Sequence, residues 1–337
     1  MASAHPALAR IAPGDGRLTI GLELPLDNDW GPERGRADRA AGLPFGVPDL
    51  TAHTERARLA DRLGFAALWL RDVPLYDPLQ FGDAGTVFET FTHLGHLAAV
   101  TENVVLGTGA TVLPLREPLL VAKAAATVDV LSGGRMLLGL ASGDRPVEYP
   151  LFGRDFQSRG AAFREGVETL RAAWRGGPLE LPAVGLGADR QLEVLPRPVH
   201  PAGIPIAVAG GAQQTPEWIA ENVDASLNYP RELGALRIRA REWQQRTDGA
   251  KPYLTPMVLT LQDDPDAPAT PIRLGLSTGR NALVEHLKAM AGLGVSHVSF
   301  NLRPNDRPIE ELLHELAEHV LPNFPTPEAA PAVEDRI

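Results

Sequence analysis

The sequence predicts an α/β fold of the (β/α)8 type, a TIM barrel in which eight parallel strands close into a ring inside a coat of helices. Three observations carry that prediction. Apolar runs short enough for buried strands alternate with longer helical runs from residue 18 to residue 321, the rhythm of strands joined by crossover helices. Eight such pairs follow one another, the number that closes the ring. The chain after the first strand reads Pro25-Leu26-Asp27-Asn28-Asp29-Trp30, without the G-x-G-x-x-G turn that a doubly wound open sheet places there.

Residues 18–26 form the first strand, and residues 49–63 an amphipathic helix with Asp49 as its cap and Gly64 as its stop. Residues 65–70 are the second strand and 87–100 the second helix. The next unit is the most telling. Residues 104–108 are a strand, Pro118 opens a helix in the one turn that tolerates proline, and Ser132-Gly133-Gly134 ends it before a fourth strand at 135–140. The tips of these two strands, Gly109-Ala110-Thr111 and Ala141-Ser142-Gly143, carry almost no side-chain bulk. That leaves room either for tight packing or for something flat to lie against the backbone.

Residues 163–174 make the fourth helix, closed by Gly176-Gly177, and residues 179–203 are a Pro/Gly-rich hairpin or insertion. Strands follow at 204–209, 225–229, 253–261 and 295–302, with helices at 216–223, 232–246, 281–292 and 309–321. Two stretches, 27–48 and 262–280, are long for βα loops and belong to the carboxyl face, where barrel active sites lie. The second suits a mobile lid or a surface insertion. The expected organisation is an N-terminal extension at 1–17, one barrel at 18–322 with insertions on its carboxyl face, and a flexible tail at 323–337.

Composition excludes whole classes of function. Hydrophobic residues at 44% and charged residues at 22% are ordinary for a soluble globular protein, and 337 residues suffice for a large core. A net charge of −10 without a Lys/Arg stripe argues against nucleic-acid binding. Cysteine is absent, which removes disulfides, thiolate nucleophiles and zinc–thiolate sites together. Neither a signal peptide nor a membrane span is legible, so a cytoplasmic protein is expected.

Strand ends supply few acid–base groups. His53, His93, His96, His286, His314 and His319 fall on helices, and His297 falls inside the last strand. His93-x-x-His96 lacks a nearby carboxylate pair, so no metal site is expected, and no Gly-x-Ser-x-Gly elbow supports serine hydrolysis. A shortage of acid–base groups points to a bound cofactor that brings the chemistry. The loop Gly210-Gly211-Ala212-Gln213-Gln214-Thr215 runs straight into a helix, and free N–H groups there suit a phosphate. Thr215 adds a hydroxyl, which also caps the helix, and Arg159 offers the forked charge that phosphate favours.

The block from Gly107, GTGATVLPLREPLLVAKAAATVDVLSGGRMLLGLASG, its continuation GDRPVEYPLFGRDFQSRGAAFREGVETLRAAW, and the later GGAQQTPEWIA resemble the bacterial luciferase-like flavin monooxygenase superfamily across residues 18–320. LWLRDVPLYDP and ASGDRPVEYPLFG are most similar to a little-characterised subgroup. The resemblance implies FMN across the barrel mouth, over a non-proline cis peptide at Gly109-Ala110. Ala141 and Ser142 would edge the flavin ring. Arg159, the backbone of Gly211, Ala212, Gln213, Gln214 and Thr215, and the Thr215 hydroxyl would hold the phosphate. A homodimer built on outer helices is also implied.

One departure stands out: luciferases proper carry a catalytic histidine after the second strand, where this chain reads Arg71-Asp72-Val73. Light emission is therefore not expected. Asp72 either pairs with Arg71 or faces flavin or substrate, and Asp72 and Ser142 are the candidates for a catalytic role. Asp144, Arg145 and Glu148 either bind a polar substrate or tie down their loop.

By resemblance, the leading function is a two-component monooxygenase. It would use O2 and reduced FMN from a transiently bound flavin reductase on a small organic substrate. An F420-dependent hydride-transfer enzyme is the alternative; its acidic tail would want Lys/Arg near the phosphate site, where the sequence displays few. A non-catalytic FMN-binding barrel is the third reading.

Overall fold

The computed structural model describes residues 5–180 and 191–328. The chain opens with α1 (Pro6–Ile11), β1 (Thr19–Glu23), α2 (Pro32–Ala40), α3 (His53–Arg62), β2 (Ala67–Leu70) and α4 (Thr90–Val100). It continues through β3 (Val105–Thr108), β4 (Thr111–Val112), α5 (Pro118–Leu131), β5 (Met136–Ala141), α6 (Glu148–Leu151) and α7 (Arg159–Trp174). Then come β6 (Ile206–Ala209), α8 (Pro216–Asn222), β7 (Ala225–Leu227), α9 (Leu233–Arg246) and β8 (Tyr253–Leu261). The last elements are β9 (Thr270–Ile272), β10 (Gly275–Thr278), α10 (Arg280–Gly292), β11 (Val295–Asn301) and α11 (Ile309–Glu315).

Eight of these strands form the predicted barrel. Parallel pairing runs β11-β1-β2-β3-β5-β6-β7-β8, and β8 returns to β11 to close the ring. The helices pack outside it over a continuous apolar layer that includes Ile20, Leu68, Leu106, Leu138, Ile206 and Phe300, each fully buried. No helix among the described residues is long and apolar enough to cross a membrane.

Inside the ring the space is filled by Trp69, Val105, Leu137, Ala207, Ala225 and Leu254, and α1 plugs the base with Ala7 and Ile11. A Cβ on Gly107 would come within 2.5 Å of the Trp69 ring, so the indole occupies room that only glycine leaves. Trp69 Nε1 donates to His297 Nε2 at 3.0 Å, which makes that nitrogen the acceptor. Nδ1 then carries the proton and donates to Thr19 Oγ1 at 2.8 Å, and Thr19 donates to the Ile11 carbonyl at 2.6 Å. Burial pushes the His297 imidazole down to about 3, so it stays neutral. His297 is part of the packed interior, as its position inside a strand suggested.

Several boundaries differ from the sequence reading for local reasons. Asp49 does not cap a helix: its carboxylate folds back on the Thr51 N–H and hydroxyl, and α3 starts at His53. The second helix starts at Thr90 because the Glu89 side chain accepts from the Thr92 N–H as its cap. The stretch 262–280 is no free lid. It forms the β9–β10 hairpin, whose β10 pairs in parallel with β8 from Val258 to Leu261.

The supposed terminal segments also contribute. Residues 6–11 are the plug described above, and Phe324 is buried. The Thr326 hydroxyl donates to the Gly64 carbonyl at 2.8 Å, and Arg10 donates to the Pro327 carbonyl at 2.8 Å. The expected tail therefore packs as far as residue 327; its continuation from 329, residues 1–4, and positions 181–190 of the expected 179–203 excursion lie outside the described residues.

Candidate functional site

The carboxyl ends of β2, β3, β5, β6 and β7 surround a cavity of about 400 Å³. Of the residues expected to bind or act, it brings together Asp72, Gly109, Ala110, Ala141, Ser142 and Gln213. Gly211 and Gln214 line a neighbouring cavity that shares Gly210 with it. Arg159, Ala212 and Thr215 line neither, but stand on the elements that border them.

The floor is backbone. The Gly109–Ala110 peptide is cis, the geometry the resemblance implies. A Cβ on Gly109 would meet Trp69 at 3.7 Å, an ordinary contact, so this glycine leaves open space rather than relieving a clash. Gly143, by contrast, has φ of +79°, and a Cβ there would lie 2.7 Å from both the Tyr149 hydroxyl oxygen and Val112. Tyr149 donates to the Ser142 carbonyl, and burial pushes the phenol up to about 12, so it remains a donor. The Ser142 hydroxyl has no partner among the described residues.

A strained loop forms one wall. Ala212 and Gln213 both have positive φ, at 41° and 59°, a conformation side chains rarely adopt and functional loops often hold. Among the described residues, no hydrogen bond uses the N–H groups of Gly211, Ala212 or Gln213. Thr215 accepts from the Trp218 N–H at 3.2 Å and so caps α8. The start of α7 abuts this loop, because Gln214 Nε2 donates to the Gly160 carbonyl at 2.7 Å. Arg159 lies 3.7 Å over the Phe156 ring and donates from Nη1 to the Phe156 carbonyl, while its Nε is buried without a partner.

This loop has more positive charge around it than the sequence suggested. Arg164 donates to Gln214 Oε1 at 3.0 Å, and Arg239 and Arg246 line the neighbouring cavity, Arg246 already paired with Glu217 at 3.4 Å and Glu242 at 3.9 Å. They come from α7 and α9, tens of residues away in sequence, and only the ring closure brings them to one place.

Asp72 is committed to the frame and does not pair with Arg71. Arg116 holds it bidentately at 2.7 and 3.0 Å, and the Thr90 hydroxyl and Val112 N–H complete its shell at 2.9 and 3.1 Å. Four donors occupy the carboxylate that the sequence marked as a catalytic candidate. Arg71 pairs instead with Asp83 at 2.5 Å. Burial opposes charge on Arg71, but Asp83 and its neighbours outweigh that and push it up.

Arg303, 1% exposed, completes the frame: it grips Asp29 bidentately, reaches Asp83 at 2.8 Å and lies 4.0 Å over the Trp30 ring. Burial pushes the Asp83 carboxyl up, yet the two arginines prevail and hold it below its usual range. This network, which joins loops 27–48 and 71–89 to the end of β11, carries no sequence signature because its members lie up to 274 positions apart.

Arg145 and Glu148 line the cavity beside this frame. Arg145 stacks 4.2 Å over Phe81 of loop 71–89. Burial raises the Glu148 carboxyl, Arg145 opposes the rise, and Asp72 and Asp144 add to it.

The chain is similar to known proteins both in sequence and in fold. The chain is 33% identical over 124 residues to the oxygenase component of flavin-dependent trigonelline monooxygenase of Acinetobacter baylyi, covering 36% of this chain and 33% of that protein. It is 33% identical over 175 residues to the F420-dependent glucose-6-phosphate dehydrogenase of Beutenbergia cavernae, covering 51% of this chain and 50% of the relative. The aligned part thus spans half or less of these two relatives. Among solved structures, monooxygenase RslO1 from Streptomyces bottropensis superposes with a TM-score of 0.70 at 20% identity, covering 91% of this chain and all of that one, which shows the shared fold. The family model for luciferase-like monooxygenases matches residues 30–273, and the chain belongs to that family.

Proposed function

We propose that the protein is the oxygenase component of a two-component, FMN-dependent monooxygenase acting on a small organic substrate. The observation that carries this reading is a flat, side-chain-free floor beside an anion-seeking loop. Gly109-Ala110, Ala141 and Ser142 would lie along the isoalloxazine. The N–H groups of Gly211 to Gln213, the Thr215 hydroxyl and the unpartnered Arg159 Nε would hold the phosphate. These residues fit the cofactor: buried or strained polar groups lack partners where the anion would be, and bulk is missing where the ring would be.

Bound reduced FMN would supply the electrons and activate O2 for oxygen insertion. The chain's own part is to bind, orient and keep water out. Asp72 and Arg116 position the wall beside β4, and the Ser142 hydroxyl is free to bond the polar edge of a ring. The Arg71–Asp83–Arg303 frame holds loop 71–89 at the mouth, the place first assigned to residues 262–280. A reductase partner, O2 as co-substrate and a homodimer of outer helices belong to this proposal.

Arg159→Ala should weaken FMN binding by about tenfold or more, since a bond to a charged group contributes about 1.5–3 kcal/mol. Fluorescence quenching during FMN titration reads this directly. A Kd unchanged within about twofold would remove Arg159 from the phosphate site. One observation favours a second reading, an F420-dependent hydride-transfer enzyme: Arg164, Arg239 and Arg246 stand where an acidic cofactor tail would extend. Parallel titration with F420 separates the two, because only one cofactor should bind at low micromolar concentration.

A further inference from the structure

Arg145 and Glu148 are charged side chains at the mouth that are largely buried yet incompletely bonded. Glu148 is 4% exposed and lines the cavity, yet neither of its carboxylate oxygens accepts a hydrogen bond from any described residue, and Oε1 is fully enclosed. The nearest positive charge is Arg145 Nη1, 3.8 Å from that oxygen and beyond hydrogen-bond reach. Arg145 has a side chain only 12% exposed, and its one hydrogen bond, to the Leu75 carbonyl, is long at 3.4 Å. Its flat face is taken by Phe81, which leaves the N–H edge for whatever stands beside it.

Every other buried ion pair at this mouth closes. Arg116–Asp72, Arg71–Asp83 and Arg303–Asp83 meet at 2.5–2.8 Å. Leaving a buried acceptor unbonded is costly, and more so when it is charged, so the open pair is a deficit that a ligand would remove. A group that fits must donate to Glu148 and accept from Arg145 on neighbouring atoms.

We propose that Arg145 and Glu148 form a paired acceptor–donor subsite for a ligand bearing an N–H beside a C=O, the edge of an amide or imide. The proposal rests on the flavin reading only in this respect, that the edge has two sources: the pyrimidine end of the cofactor, or an amide-bearing substrate. Arg145 presents the donor and Glu148 the acceptor, while the adjacent Ser142 hydroxyl can serve either atom. Phe81 stacks on Arg145, and the other charges lining this cavity include Asp144, Asp72, already satisfied by Arg116, and Arg71, satisfied by Asp83.

The test uses the full chain and two probes. FMN and N3-methyl-FMN, which lacks the imide donor, are titrated by fluorescence quenching against wild type, Glu148→Met and Glu148→Gln. Benzamide is then titrated against the same three proteins, with and without FMN. If the cofactor supplies the edge, wild type prefers FMN over its N3-methyl form by about tenfold, and Glu148→Met loses that preference. If the substrate supplies it, both flavins bind alike and benzamide binding falls by about tenfold in Glu148→Met. In either case Glu148→Gln, which keeps an acceptor, recovers most of the loss. Circular dichroism and a melting curve check that each variant is folded, and Arg145→Met, which removes the facing donor, serves as the second variant.

Flavin and benzamide binding that are both indifferent to Glu148 and Arg145 overturn the subsite and leave the flavin reading standing. Benzamide binding that depends on Glu148, in a protein that binds no flavin or deazaflavin, removes the flavin reading and keeps the subsite.

Discussion

The two ends of the barrel are made from the same strands and are filled in opposite ways. At the base, Trp69, His297, Thr19 and the Ile11 carbonyl form an unbroken relay in which each polar group has its partner, and α1 seals the opening. At the mouth the Ser142 hydroxyl, the Glu148 carboxyl and the Arg159 Nε stand without one. Burial makes unpaired polar groups expensive, so those at the mouth, like His5 Nε2 and Arg10 Nε beside the plug, are places where an added partner would be stabilising. Glycine shows the same division. Gly107 admits the Trp69 ring and serves packing, whereas Gly109, two residues on, meets nothing closer than 3.7 Å and serves space.

The strongest way to break this contrast is at the mouth's own frame, which is charged yet complete. Arg303→Met would strand Asp29 without its counter-charge and leave Asp83 to Arg71 alone, and stability should fall by about 3–5 kcal/mol. Urea unfolding measures it; a loss under about 1 kcal/mol would mean that charge does not hold these loops.

The glycine pair sharpens the contrast next. Gly107→Ala drives a methyl into the indole and should cost about 1–3 kcal/mol. Gly109→Ala should cost less than about 1 kcal/mol in stability, because its Cβ makes only ordinary contacts, while FMN titration should record the larger loss. Equal stability losses at both positions would dissolve the distinction.

The smallest effect comes from Asp129, near the base, whose carboxyl burial pushes up to about 6 against the N–H bonds it accepts from Val199 and Met136. The folded state therefore binds more protons than the unfolded one between about pH 4 and pH 6. Stability contributed by this group is present below pH 4 and falls as pH rises through 6. Asp129→Asn should flatten that stretch of the stability curve and gain about 1 kcal/mol at pH 7, as thermal melts across pH would record. An unchanged slope would reject the assignment.

The ring itself was legible because strand and helix periods are local, and the bare tips after the third and fourth strands named the floor at Gly109-Ala110 and Ala141-Ser142. Phosphate-loop candidates were legible for the same reason, since Gly210 to Thr215 are contiguous. What the sequence concealed was pairing at a distance. Sequence left open whether Asp72 pairs with its neighbour Arg71 or faces a ligand; instead Arg116, 44 positions on, holds Asp72, and Arg71 turns to Asp83 within its own loop. Residues 262–280 have the composition of a loop, which suits a lid or a surface insertion; their backbone took the free edge of β8, a choice set by the neighbouring strand.

The plug at the base has a consequence for traffic. With Trp69 and its neighbours filling the ring and Ala7 and Ile11 closing the far end, the cavity at the mouth has no passage through the barrel and is a well entered from the carboxyl face. Whatever settles nearest the floor has to arrive before its companion and depart after it. Two ligands sharing such a well would form a queue, with an order of entry imposed by architecture rather than by affinity.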